Sequence, residues 1–249
     1  MLETASSAKF SNWTTDALKH EILTLTQNRD IDPFSKKMRL YKDALAPLVE
    51  ELSRRNPFPN PTDQLPVVLG VWSPWWTTIP FQDIIPGRLR EQSYQIFHAD
   101  GYYANIARYA PGSKSFLQKL LSFLVAYDLM VVQKFAVHEG EWLIQNVGIE
   151  QDFRPRSTPL RAEQAEAWFT AVVDAKYQTW ANQAPPSLKN LDKNTAKKFE
   201  QIYLAKPRLE HLYIDHDFRL VKSQREARQR PSYTIAVRHQ MLDSLIQNP

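Results

Sequence analysis

Cysteine is absent from the 249-residue chain, which excludes a disulfide framework, a thiolate metal site and a cysteine nucleophile together, whatever the compartment. Glycine is scarce, at six residues, and a phosphate-cradling nucleotide fold depends on glycine-rich turns. Gly112-Ser113-Lys114-Ser115 lacks the upstream glycine of a phosphate loop, there is no Gly-x-Ser-x-Gly elbow, and no paired carboxylates stand out. Long apolar runs are missing too. The greasiest stretch, 116–137, is interrupted by Lys119, Asp128 and Lys134, too many charges for a lipid span. The first ten residues carry no apolar run and include Glu3, which fits neither a secretory signal nor an acid-poor transit peptide.

What is present is 17 prolines, seven tryptophans and 12% aromatic residues, in a chain that is 43% hydrophobic and 23% charged with a mean hydropathy of −0.47. That composition belongs to a soluble globular protein and excludes a disordered tail or a coiled coil. The length allows one large domain or two small ones. A net charge of +4 and a pI near 9.1 favour an anionic partner surface without demanding one.

The chain opens helical, to about residue 55. Leu18, Ile22 and Leu25 mark one apolar face behind a Thr14-Thr15-Asp16 capping cluster. Met38, Tyr41, Leu45, Leu48 and Leu52 recur at steps of three and four, with Pro47 placed to kink or split that second helix. Asn56-Pro57-Phe58-Pro59-Asn60-Pro61-Thr62 then sets prolines at alternate positions, which predicts an extended connection over 56–66 and a domain boundary. Beyond it the period changes to that of strands, expected at 67–79, 94–98, 102–109, 126–137, 141–153, 198–204, 209–214, 218–222 and 233–238. Asp100-Gly101 and Gly140 mark hairpin turns. Short helices are expected at 115–123 and 239–247. A longer inserted one is expected over about 158–183, with Thr158-Pro159 as cap and first residue and Phe169, Val173, Tyr177 and Trp180 as its apolar stripe. Strands joined mostly by hairpin-length turns point to an α+β protein that is mainly β: an antiparallel barrel over 67–249, preceded by a helical segment. An eight-stranded barrel is just wide enough to hold one small ligand.

Several motifs lie in order along this plan. The proline stretch is followed by Leu69-Gly70-Val71-Trp72 and Trp76-Thr77-Thr78, then by Tyr94-Gln95-Ile96 and Asn105, and near the end by Leu212-Tyr213-Ile214-Asp215 with Asp217-Phe218-Arg219-Leu220. Together they resemble the plastid-lipid-associated protein family, the fibrillins. The resemblance implies a lipocalin-like β-barrel, association with a membrane or lipid globule, and binding of an apolar molecule such as a lipid, quinone or carotenoid in a photosynthetic organism. It implies no established chemistry, and a location that is cytoplasmic or peripheral to a thylakoid membrane, or plastid for a mature chain. The sequence departs from the family in Pro74, which must sit at an edge or bulge of the first strand, and in the helix at 158–183, which looks like an insertion. The helical lead-in is a lid or a docking element.

Gly70-Val71-Trp72 is shared with lipocalins, where the tryptophan closes one barrel end under an arginine from a late strand, a cation over an aromatic face that contributes about 0.5 to 2 kcal/mol. Arg219 and Arg238 are the candidates, and Arg219 is preferred because Asp217 shares its strand face. Trp75, Trp76, Phe81, Ile84 and Ile85 form the densest apolar cluster. Simple alternation sends Trp72 and Trp76 to one face and Trp75 to the other, so one face must cover something outside the barrel or lie under the N-terminal helices. The expected ligand-contacting set is Trp72, Trp75, Trp76, Phe81, Tyr94, Tyr103, Asn105, Trp142, Asp217 and Arg219.

His98 and Asp100 with His138, His211 or His239 can be written as a two-histidine, one-carboxylate metal triad, but Asp100-Gly101 already serves as a hairpin turn. His211, Asp215, His216 and Asp217 are split by alternation and read as a turn between strands. No catalytic residue, metal or cofactor is assigned. Arg219, Lys222, Arg225, Arg228 and Arg230 oppose only Glu226, which reads as a solvated hairpin or, with Lys222, Arg225, Arg228 and Arg230, as a contact for anionic lipid headgroups. Aromatic residues are absent within it, so nucleic acid is not favoured. The expected function is non-enzymatic binding of an apolar molecule at a membrane surface. The alternatives are a bilin-handling lyase or chaperone on a similar barrel, and a scaffold docking through the basic hairpin.

Overall fold

The computed structural model describes residues 10–79, 87–110, 125–177, 208–224 and 229–240. The expected strand at 198–204, the helix at 115–123, Phe81, Ile84, Ile85, Trp180, Arg225, Arg228 and the last part of the terminal helix lie outside them. Helix α1 spans Thr15–Thr26 and starts where the Thr14 hydroxyl accepts the Ala17 N–H, the cap that the sequence announces. Helix α2, Phe34–Leu40, runs into a single π turn over Tyr41–Leu45 before α3, Ala46–Arg54. Pro47 explains the wide turn. It has no N–H to give, and in an unbroken helix its ring would meet the carbonyl four residues back. The chain spends one extra residue and restarts with Pro47 in the first turn of α3, where no donor is required.

The proline stretch departs from expectation. The extended connection does not reach residue 66: Pro61 starts helix α4, Pro61–Val68, with Asn60 at the cap, and the first strand begins at Gly70 instead of residue 67. Proline at a first helical position costs nothing because that N–H has no intrahelical partner anyway.

The strands β1 (Gly70–Thr77), β2 (Arg88–Phe97), β3 (Tyr102–Tyr109), β4 (Val125–His138), β5 (Glu141–Pro155), β6 (Arg208–Ile214), β7 (Phe218–Gln224) and β8 (Ser232–Arg238) pair antiparallel in chain order. β8 returns to β1, so the barrel is closed. The β4–β5 hairpin is the longest ladder, paired from Val125 with Pro155 to His138 with Glu141. Among the described residues the β5–β6 seam is the thinnest, held by the Trp142–Leu209 and Leu143–Arg208 pairs.

Two helical layers cover the outside. The N-terminal helices bury Leu18, Ile22, Leu45, Leu48 and Leu52 against Trp76, Tyr213, Phe218, Leu220, Ile235 and Val237 of β1, β6, β7 and β8. Helix α5, Ala162–Val172, with a π turn over Val173–Tyr177, packs Phe169, Val173 and Tyr177 on Tyr94, Ile96, Ala104, Ile106, Met130 and Val132. It starts four residues after Thr158, which is not its cap. Arg161 holds that place, its N–H bonded to the Gln164 side chain. Gly148 of β5 lies under this layer, and a Cβ there would sit 1.7 Å from the Tyr177 hydroxyl oxygen. Much of the apolar alternation in the strands therefore faces outward, beneath helices, and leaves the inward positions to a more polar set.

Candidate functional site

Helix α4 shuts one end of the barrel. The Trp72 indole N–H donates to the Val68 carbonyl at 2.7 Å, and the Trp142 indole N–H donates to Gln64 Oε1 at 2.7 Å. The same Gln64 oxygen lies 3.1 Å from His211 Nδ1, and since it can only accept, Nδ1 carries the proton. Burial first, and the charge of Arg219 second, hold His211 well below its usual pKa, so the ring is neutral. Arg238 lies across Trp72 at 3.8 Å from the ring centre and donates to the carbonyls of Val67, Leu69 and His216. Gly70 has φ +100°, and a Cβ there would be 3.1 Å from the Arg238 guanidinium, so glycine serves both the backbone turn and the close approach.

Above this floor, inward-facing amides of four neighbouring strands form a belt. Gln95 Nε2 donates to Asn105 Oδ1 at 2.9 Å, Asn105 Nδ2 to Gln133 Oε1 at 2.8 Å, and Gln133 Nε2 to Asn146 Oδ1 at 2.6 Å. At the head of the belt the Arg219 guanidinium donates to Gln95 Oε1 at 2.5 Å. An arginine can only donate, so Gln95 must turn its oxygen toward it, and that choice fixes the orientation of every amide that follows. Such a chain, sheltered from water, polarises along its length.

Arg219 is 2% exposed and stands over two rings, 4.7 Å from the Phe97 centre and 5.1 Å from the Trp72 centre. Its Nε and Nη1 have no hydrogen-bond partner among the described residues. Burial, only partly countered by Tyr103, and the nearby Arg238 pull its pKa down to about 10, which leaves it charged at neutral pH. Two ring faces return about 1 to 4 kcal/mol in all, whereas an uncompensated buried charge costs several kcal/mol. The rings alone do not balance the burial.

A cavity of about 430 Å³ occupies the barrel between this level and the far end. Its walls combine Leu129, Val131, Ile144 and Val221 with Tyr103, Tyr109 and the amide belt, and Phe34, Arg88 and Arg230 stand at its rim. Among the described residues the lining contains three arginines and no aspartate or glutamate. The rim is braced by Asp30, in the turn after α1, which accepts from Lys37 at 3.1 Å, Arg88 at 2.6 Å, Arg90 at 2.7 Å and the Thr77 N–H at 3.0 Å. Burial alone would raise the Asp30 pKa, but Arg88, Lys37 and Arg90 outweigh it and hold the carboxyl below its ordinary value.

The expected site residues divide accordingly. Tyr103, Asn105 and Arg219 line the cavity, and Tyr94 borders it while its hydroxyl donates outward to the Leu160 carbonyl at 2.8 Å. Trp72 and Trp142 belong to the floor. Trp75 and Trp76 do not face the interior. Trp75 lies on the face opposite Trp72, as alternation has it, and a bulge between Pro74 and Trp76 turns Trp76 to the same side, so both indoles lie under the N-terminal helices, where Trp75 donates to Thr26 Oγ1 at 3.1 Å. Asp217 is exposed in the β6–β7 turn and acts on Arg238, not on Arg219. The closing arginine is thus Arg238 first, with Arg219 an interior group.

The other motifs resolve into structure. Asp100 Oδ1 accepts the Tyr102 N–H in the β2–β3 turn, and Asp215 Oδ1 accepts the N–H groups of Asp217 and Phe218 in the β6–β7 turn. Asp215 also accepts from Lys19 at 2.9 Å and Tyr213 at 2.7 Å, tying α1 to the barrel. The basic hairpin is not one charged face: Arg219 points inward, Lys222 pairs with Glu210 at 2.9 Å, and Arg230 stands at the cavity rim.

Gln95, Gln133, Asn146 and Arg88 were not expected at the site. The signal for the amides is slight: each is the single amide among its strand's alternate inward positions, 93, 95 and 97 in β2, 129, 131 and 133 in β4, 144 and 146 in β5, and Arg88 has no such signal. No protein-family model and no curated protein matches this chain.

Proposed function

We propose that the protein binds one apolar small molecule of the lipid or quinone class inside its barrel and shields it at a membrane or lipid-globule surface of a photosynthetic organism, with no chemistry of its own. The observation that carries this reading is the cavity of about 430 Å³ within a closed barrel, apolar along its walls and polar at a few converging side chains. That volume is toward the small end of ligand pockets and suits a single chain or ring better than an extended carotenoid. Affinity comes from apolar area removed from water, about 25 cal/mol per Å² before ordering costs. The membrane setting follows from the motifs that resemble the fibrillins. No helix among the described residues is long and apolar enough to cross a membrane, which fits a peripheral position.

Native purification followed by organic extraction and mass spectrometry tests the reading. One apolar compound near equimolar with protein is the expected result. An empty extract, together with no saturable binding when the emptied protein is titrated with lipids and quinones, overturns it.

Arg219 also favours a second reading, a tetrapyrrole-handling lyase or chaperone, because propionates need a buried cation. That reading further calls for an aspartate beside it to move a proton, and the described lining has none. Incubation with a bilin decides: a shifted absorption band supports it and an unchanged spectrum removes it.

A further inference from the structure

Three lysine or arginine residues are buried among the described residues, and two of them face a carboxylate. Lys37 reaches Asp30 at 3.1 Å, and Arg108 grips Asp128 through Nε at 2.6 Å and Nη2 at 2.9 Å. Among the described residues Arg219 alone has no carboxylate, and its only hydrogen bond there goes to the neutral oxygen of Gln95. It is also the buried cation that borders the cavity. The fold elsewhere neutralises such groups from its own chain, so the missing counter-charge at Arg219 marks a place for one brought from outside.

We infer that the cavity takes an organic acid, a carboxylate on an apolar body, bound head-first with the carboxylate against Arg219 and the apolar body along Leu129, Val131, Ile144 and Val221. This rests on the reading of the barrel as a ligand carrier and goes beyond it by naming the head group. The position of Arg219 over Trp72 and Phe97, at the floor side of the cavity, sets the head-first direction. The described lining has no acidic side chain, and at the rim the Asp30 carboxylate is outnumbered by Lys37, Arg88 and Arg90, with Arg230 also at the rim, so the way inward is net positive for an anion. The amide belt holds Gln95 Oε1 on one guanidinium nitrogen and so keeps the group in place for the incoming acid.

The carboxylate can end an acyl chain or a tetrapyrrole propionate arm, and parallel titrations separate the two. The full chain, stripped of bound lipid, is titrated with palmitate and with its methyl ester, and likewise with biliverdin and its dimethyl ester, by intrinsic tryptophan quenching. The acid of at least one pair binds about tenfold to a hundredfold more tightly than its ester, the factor a charge-assisted hydrogen bond supplies. Gln95→Glu provides the second arm, because a carboxylate at that position gives Arg219 a counter-ion of its own. The variant is expected to melt at a higher temperature than the parent and to lose the preference for the acid. Equal binding of acid and ester overturns the inference while leaving the carrier reading intact; no binding of any of the four also overturns the inference, and the carrier reading then falls only if the extract is empty and quinones and other lipids fail to bind. An acid preference that survives Gln95→Glu overturns Arg219 as the receptor.

Discussion

Arg238 reaches Trp72 at 3.8 Å and donates to three backbone carbonyls, two of them at the end of α4 and one in the β6–β7 turn, so a single side chain fastens the cap to the barrel. Replacement by alanine removes the cation over the ring and leaves the three carbonyls to water; a loss of about 2 to 3 kcal/mol in urea unfolding is expected. The buried Arg108–Asp128 pair on the outer face is a harder case. Arg108 also donates to the Thr158 carbonyl ahead of α5, so Asp128→Ala strands a buried guanidinium and is expected to cost about 3 to 5 kcal/mol, read from the same unfolding curves. Asp30 gives a pH dependence of definite sign. Its carboxyl is held below the ordinary value of 3.8, so its contribution to stability is complete above that pH and is lost as the pH falls through and below it. The stability difference between the parent and Asp30→Asn, measured from pH 6 downward, is therefore constant until about pH 4 and then narrows.

The elements show which patterns local sequence can carry. The Thr14 cap, the Asp100-Gly101 turn and the stripe Phe169, Val173, Tyr177 are set by neighbours within one or two turns of chain, and each stands where its residues place it. Trp76 could not be placed that way. One bulged residue beside Pro74 reverses the side of everything after it, and alternation counted along the strand has no means of seeing a bulge. The interior amides were obscured for a different reason. Apolar residues on a strand are usually read as facing the core, but here two helical layers supply the apolar partners outside, and the distant contacts that reverse the assignment are invisible in the strand itself. Gly148 carries the element-scale prediction, since the Tyr177 ring rests on its bare Cα. Gly148→Ala must displace the π turn that follows α5, and a fall in melting temperature is expected that Tyr177→Phe relieves little, because the ring carbon is itself 2.6 Å from the new Cβ.

At the scale of the molecule, the barrel is a sheet with apolar support on its outside and an incompletely neutralised interior. Its walls are closed by eight strands and its floor by α4, so the cavity is built into the resting fold and requires no rearrangement of the described strands. A cavity lined by exposed apolar wall and a buried guanidinium without a counter-ion is a local deficit of stability, and occupation offsets it for the whole cooperative unit. Ligand at one hundred times its dissociation constant stabilises the folded state by about 2.7 kcal/mol. For a chain of this size each kcal/mol raises the melting temperature by about 2 to 4 °C, so a preferred ligand should lift it by roughly 5 to 10 °C. Differential scanning calorimetry of protein as purified, after solvent stripping, and after reloading with the extracted compound measures that difference. A stripped protein that melts no lower than the reloaded one would mean that the barrel interior is already at balance without an occupant.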